Sequence, residues 1–132
     1  MLRLILGVVA GCALALGLIT AIELVVHARY PYPAGATPDQ LRTYVLDLPR
    51  VGQAMIIAAW IIGTAVGGLA GNGIAARPWP ALVVGVLIAV SGMANMAMLP
   101  HPLWMQVSGI VGPLAVAGLL GLGRPRRAPA AG

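Results

Sequence analysis

The sequence predicts an all-α integral membrane protein, a four-helix transmembrane bundle with one short amphipathic helix on its outer side. Three observations predict it. Of the 132 residues, 60% are apolar and only 8% are charged, where a soluble domain carries roughly 25% charged residues. The apolar residues fall into four runs, over about 4–27, 51–76, 80–99 and 103–122, each near the ~20 residues a helix needs to cross the hydrocarbon. The runs lack the alternation of barrel strands, so helices are the spanning solution that satisfies their backbone.

The first span, Leu4 to about Val26, follows Arg3. Val9-Ala10-Gly11-Cys12 looks like a lipoprotein processing site. The apolar run continues past Cys12 without a polar break, however, so an uncleaved span is expected. The connection over 28–50 contains "TPDQLRTYVLDLP". Thr37 can cap a helix over about 38–47, with Pro38 at its first position and Gln40 completing a capping box. Leu41, Tyr44, Val45 and Leu48 then share one face, which should lie on the membrane surface or over the mouth of the bundle. "RPWP" between spans two and three and "PHP" between spans three and four are tight turns, so these spans are antiparallel neighbours. Residues 1–122 form a single domain, and 123–132 are a solvated cytoplasmic tail.

Orientation follows from the arginines, the chain's sole basic residues apart from its two histidines. Arg3, Arg77, Arg124, Arg126 and Arg127 fall on one side of the four spans, and Arg29, Arg42 and Arg50 on the other. The excess predicts cytoplasmic termini. The net charge of +5 is then an orientation signal and a contact with anionic headgroups of the lipid bilayer; no nucleic-acid partner is expected. Tyr30, Tyr32, Trp79 and Trp104 are placed for the aromatic belts.

Span two carries Gly63, Gly67 and Gly71 at four-residue spacing; Gly7 with Gly11 in span one, and Ser108 with Gly112 in span four, have the same spacing. Lipid gives helices no hydrophobic reason to associate, so close backbone approach must do it. These glycines are expected to pack the bundle, with docking of a second copy or another membrane protein as the alternative use.

The polar residues of the spans gather toward the outer side. Glu23 and His27 stand one turn apart on span one. Gln53 opens span two, Asn95 lies near the outer end of span three with Ser91 one turn deeper, His101 sits in the outer turn, and Gln106 begins span four. The expectation is one polar mouth above an apolar inner half. Ionisable side chains within spans are costly and mark functional sites. Glu23, with His27, Arg29 or Arg50 as its expected partner, is the first candidate. Glu23, His27 and His101 carry donor types that suit zinc, but their spacing is no metal signature; neither a metal nor another cofactor is expected. No catalytic residue is assigned. Ser91, Ser108 and Cys12 lack activating neighbours in sequence, and there is no phosphate loop or dinucleotide fingerprint.

The pattern E-x-x-x-H-x-x-Y-P (Glu23, His27, Tyr30, Pro31), a short outer helix, and N-x-x-x-L-P-H-P-L-W (Asn95 to Trp104) resembles a group of four-span bacterial membrane proteins without an assigned activity. The resemblance implies topology and no chemistry. Four spans and a Glu in span one also resemble the small multidrug resistance transporters. Glu23 here lies toward the outer boundary instead of mid-membrane, and a long connection follows span one where that family has a short loop. The functional expectation is a non-enzymatic accessory or scaffold subunit. Its alternatives are a small-solute or ion permease with Glu23 as the titrating group, or a periplasm-facing metal- or ligand-binding protein.

Overall fold

The computed structural model of the protein describes residues 1–32 and 34–122, so the tail expected over 123–132, with its three arginines, lies outside the described residues. Among the described residues there are five helices and no strand: α1 (Leu2–Arg29), α2 (Pro38–Asp47), α3 (Arg50–Ala75), α4 (Pro80–Met98) and α5 (Leu103–Leu122). All but α2 are long and apolar enough to cross a membrane. The spans match the sequence reading within two residues at each end. The largest difference is in α1, which extends to Leu2 and Arg29 because nothing before Tyr30 stops it.

Helix α3 is the centre of the bundle. It packs against α1, α4 and α5, while α4 touches all three other spans; α1 and α5 lie on opposite flanks. The α1–α3 seam is built from glycine on both sides, which brings the two backbones into contact. A Cβ placed at Gly71 would come within 2.8 Å of the Gly7 carbonyl oxygen, one at Gly63 within 2.9 Å of the Ala15 carbonyl, and one at Gly67 would collide with the Gly11 carbonyl. The Gly63–Gly67–Gly71 ladder therefore packs this chain's own first span. On the other flank, a Cβ at Gly85 of α4 would collide with Ala117 of α5, and one at Gly121 with the Leu82 side chain. Helix α5 runs on through Pro113, which is buried.

Asn72 ties one end of the bundle together. Its Oδ1 accepts from the Ala81 backbone N–H at 2.9 Å, and its Nδ2 donates to the Leu120 carbonyl at 3.2 Å. Ala81 is in the first turn of α4, whose N–H groups have no partner within the helix. One side chain thus joins α3, α4 and α5 and satisfies a donor that the fold buries. Replacing it by leucine leaves that donor orphaned, a cost of about 1–3 kcal/mol. Asn72→Leu should lower the unfolding midpoint in detergent, and Asn72→Asp, which keeps the acceptor for Ala81, should lower it less. Equal midpoints for Asn72→Leu and wild type would refute the clamp.

Helix α2 marks the opposite end, called the α2 end below. Its capping box forms as expected: Gln40 N–H donates to Thr37 Oγ1 at 3.3 Å and Thr37 N–H donates to Gln40 Oε1 at 2.8 Å. Leu41, Tyr44 and Val45 are its covered residues, and Leu48 just beyond it is buried, so the predicted face is the one turned inward. Leu48 and the Tyr30 ring close over Gly52 at the start of α3. Arg42 reaches the last turn of α4, where it shares a groove with Met96, Met98 and Pro100, so α2 lies across the end of the bundle.

Candidate functional site

The site is organised around Trp60, in the first half of α3. Its indole is buried, with the ring edge against Gly92 of α4 and Gly109 of α5; a Cβ at either glycine would come within 3.0 Å of Cζ3. Two glycines on different helices make the slot, and the ring fills the middle of the bundle. An indole N–H buried in this way needs an acceptor. It donates to Glu23 Oε1 of α1 at 2.9 Å.

The sequence points to His27, Arg29 or Arg50 as the partner of Glu23, and the structure corrects this. Among the described residues the ion pair formed is Arg42 with Asp39 on the surface of α2, and no hydrogen bond joins Glu23 to His27. The helical geometry of α1 decides it: Glu23 follows Ile19 toward α3 and α4, whereas His27 is carried past the end of that seam. The pairing with Trp60 also sets Glu23 deeper than the α2 end of the bundle. Gly92, in the same layer, lies six residues before Met98, the last residue of α4, or about 9 Å along the helix.

Beside this pair a cleft of about 190 Å³ opens between α1 and α4, lined by Leu16, Ile19, Glu23, Trp60, Ile88, Ser91, Gly92 and Asn95. Leu16 and Ser91 are exposed, so its mouth faces sideways, out of the bundle. Glu23 and Asn95 are half-buried. On the α3 side of α1, the neighbouring Ala15 carbonyl meets Gly63 and the glycine seam runs on from there.

The single polar mouth expected from the sequence is therefore divided. Glu23, Ser91 and Asn95 share the cleft. His27 belongs to an aromatic group under α2, edge-on to Tyr32 at 5.3 Å between ring centres and tilted against Tyr44 at 6.2 Å. The Tyr44 hydroxyl donates to the Tyr30 carbonyl. Burial, and secondarily the neighbouring Tyr32 phenol, pushes its pKa up, so it remains a donor well above neutral pH. Gln53 is buried and its Nε2 donates to the Val45 carbonyl of α2 at 3.4 Å. His101 and Gln106 build the α4–α5 turn. His101 Nδ1 lies 2.7 Å from the Leu99 carbonyl, which can only accept, so this nitrogen carries the proton; Gln106 Nε2 donates to the His101 carbonyl at 2.7 Å. Gln53, His101 and Gln106 are thus committed to holding turns and helix ends. Among the described residues no three His, Cys, Asp or Glu side chains come together in a way that could hold a metal ion, and Glu23, His27 and His101 do not assemble.

Trp60 is the site residue that sequence reasoning misses, although the signal is present. It is the one tryptophan placed mid-span instead of at an interface, and Glu23 is the one acidic residue within a span. Each supplies the polar partner the other needs in an apolar surround.

No protein-family model, curated protein or solved structure matches the chain.

Proposed function

We propose that the protein is a small multi-pass subunit of a bacterial inner membrane, with both termini cytoplasmic, that acts without catalysis by holding a second membrane protein at its outer half. The α2 end is the outer end in this reading. The observation that carries it is the cleft itself. A carboxylate, an amide and a hydroxyl line a recess that opens sideways between α1 and α4, beside the close-packed α1–α3 seam. Such a recess receives a neighbour. A permease needs a polar path through both halves of the bilayer; among the described residues the buried polar side chains beyond Trp60, those of Thr64 and Asn72, are already bonded, Thr64 to the Trp60 carbonyl and Asn72 through both amide atoms. The arginine distribution supports the orientation, and the sequence resemblance supports the bacterial setting.

The test has two arms. Purified in mild detergent, the wild-type protein should retain one membrane protein in fixed ratio, and Glu23→Gln and Asn95→Leu should release it while remaining folded. Reconstituted alone in liposomes, it should carry no solute-coupled proton flux. A partner-free wild type whose gradient-driven flux disappears in Glu23→Gln would instead establish a permease.

A further inference from the structure

We infer that the α1–α4 cleft receives a basic side chain, lysine or arginine, from a membrane-spanning helix of the partner. This deepens the function proposed above and rests on it.

Charge comes first. Glu23 Oε1 is engaged by the Trp60 N–H, but no hydrogen bond reaches Oε2 and no arginine or histidine lies within ion-pair distance of the carboxylate among the described residues. The Asn95 amide borders the same space and has no hydrogen-bond partner among the described residues. The cleft thus offers an unpaired carboxylate oxygen, with a side-chain amide and a hydroxyl near it, beside an indole ring. Ionisable groups inside membranes pair with one another, and a cation is the complement of this set.

Size and depth then select the source. About 190 Å³ is below the ~300–1,000 Å³ of pockets that enclose a drug-sized molecule, so the cleft takes one functional group while the rest of its carrier stays outside. The polar layer lies about 9 Å of helix below the α2 end of α4, beneath the level of a lipid headgroup amine. A group delivered sideways at that depth comes from a helix lying along the bundle. The flanks permit close approach. Thr20 of α1, next to Ile19, and Ala94 of α4, next to Asn95, are both exposed. Small residues of this kind let a second backbone come near.

The experiment measures energy transfer in phosphatidylcholine vesicles. The donors are labelled polyleucine spanning peptides carrying Lys, Arg, Leu or Glu roughly six residues from one end, the depth of the cleft at 1.5 Å per residue. The acceptor is the reconstituted full-length protein, in which Cys12→Ser removes the native thiol and Ala36→Cys, in the loop between α1 and α2, takes the dye. Energy transfer should appear with the Lys and Arg peptides and stay at the random-mixing level with the Leu and Glu peptides. Glu23→Gln, which keeps an acceptor for Trp60 and hence the fold, should weaken Lys-peptide association by roughly tenfold or more, as loss of one member of a buried charge pair does. Equal transfer from the Leu peptide, or a Lys-peptide signal indifferent to Glu23→Gln, would overturn the inference. If the peptides fail while the mild-detergent complex persists, the accessory role stands and the basic-residue inference falls. If both fail, the accessory role falls with it.

Discussion

Gly67→Leu is expected to prevent the bundle from assembling. A Cβ at this position already collides with the Gly11 carbonyl, and Ala15 Cβ lies 2.8 Å away. The obstacle is backbone, which cannot rotate aside as a side-chain tip can. Gly67→Ala should therefore cost about 1–3 kcal/mol, the range for overpacked cores, and leucine should push α1 off α3 altogether. Gly17 supplies the control. It is in α1, but an added Cβ there would meet nothing within 4 Å, so Gly17→Ala should be neutral or stabilising by up to about 1 kcal/mol through helix propensity. Unfolding in mixed micelles, followed by circular dichroism or by loss of a compact band on gels, separates the two. Similar midpoints for Gly67→Ala and Gly17→Ala would show that the glycine seam does not join these helices.

Trp60→Ala is expected to be the most damaging substitution at the site, at about 3–5 kcal/mol, because it empties the slot between Gly92 and Gly109, which the nearby Met96 side chain fills only in part. Trp60→Phe separates the two roles of the indole. It keeps much of the ring in the slot and removes the N–H that Glu23 accepts, so its cost should be smaller, about 1–3 kcal/mol. Combining Trp60→Phe with Glu23→Leu should cost less than the sum of the two single changes, since each alone strands the partner of the same bond. Additive losses in unfolding free energy would mean that the bond contributes nothing. Equal losses from Trp60→Phe and Trp60→Ala would mean that the ring does not fill the slot.

The spans are legible in the sequence because bilayer physics leaves few choices: a long apolar run without alternation must be helical. Helix α2 is legible because Thr37, Pro38 and Gln40 carry a complete local instruction, read without reference to any other part of the chain. The glycine ladder is legible as a packing surface, since its spacing repeats along one face. Its assignment to α1 instead of to another molecule needs the register between two distant segments. The site is only half legible. Sequence spacing puts Glu23 and His27 on neighbouring turns of one helix, but it does not say where the seam with α3 ends, and that boundary sends the carboxylate to Trp60 and the imidazole to Tyr32 and Tyr44. His101 and Gln106 look like parts of a binding mouth because polar residues near a span end resemble one another in sequence. Their bonds to local carbonyls depend on the shape of the turn.

The unequal lengths of the spans have a consequence for how the protein sits in lipid. Helix α4 has 19 residues and α1 has 28, or about 28 and 42 Å at 1.5 Å per residue. A hydrocarbon layer of about 30 Å fits the shorter rod upright and leaves the longer one with surplus. Tilt absorbs part of such a mismatch; Gly7 lies level with the start of α4, so the remainder of α1 is divided between its two ends. Its last turn carries His27 and Arg29 and leads straight into Tyr30 and Tyr32. The protein therefore wears a small aromatic headpiece above the bilayer, braced by α2, and thinning or thickening the membrane would change how far that headpiece is lifted.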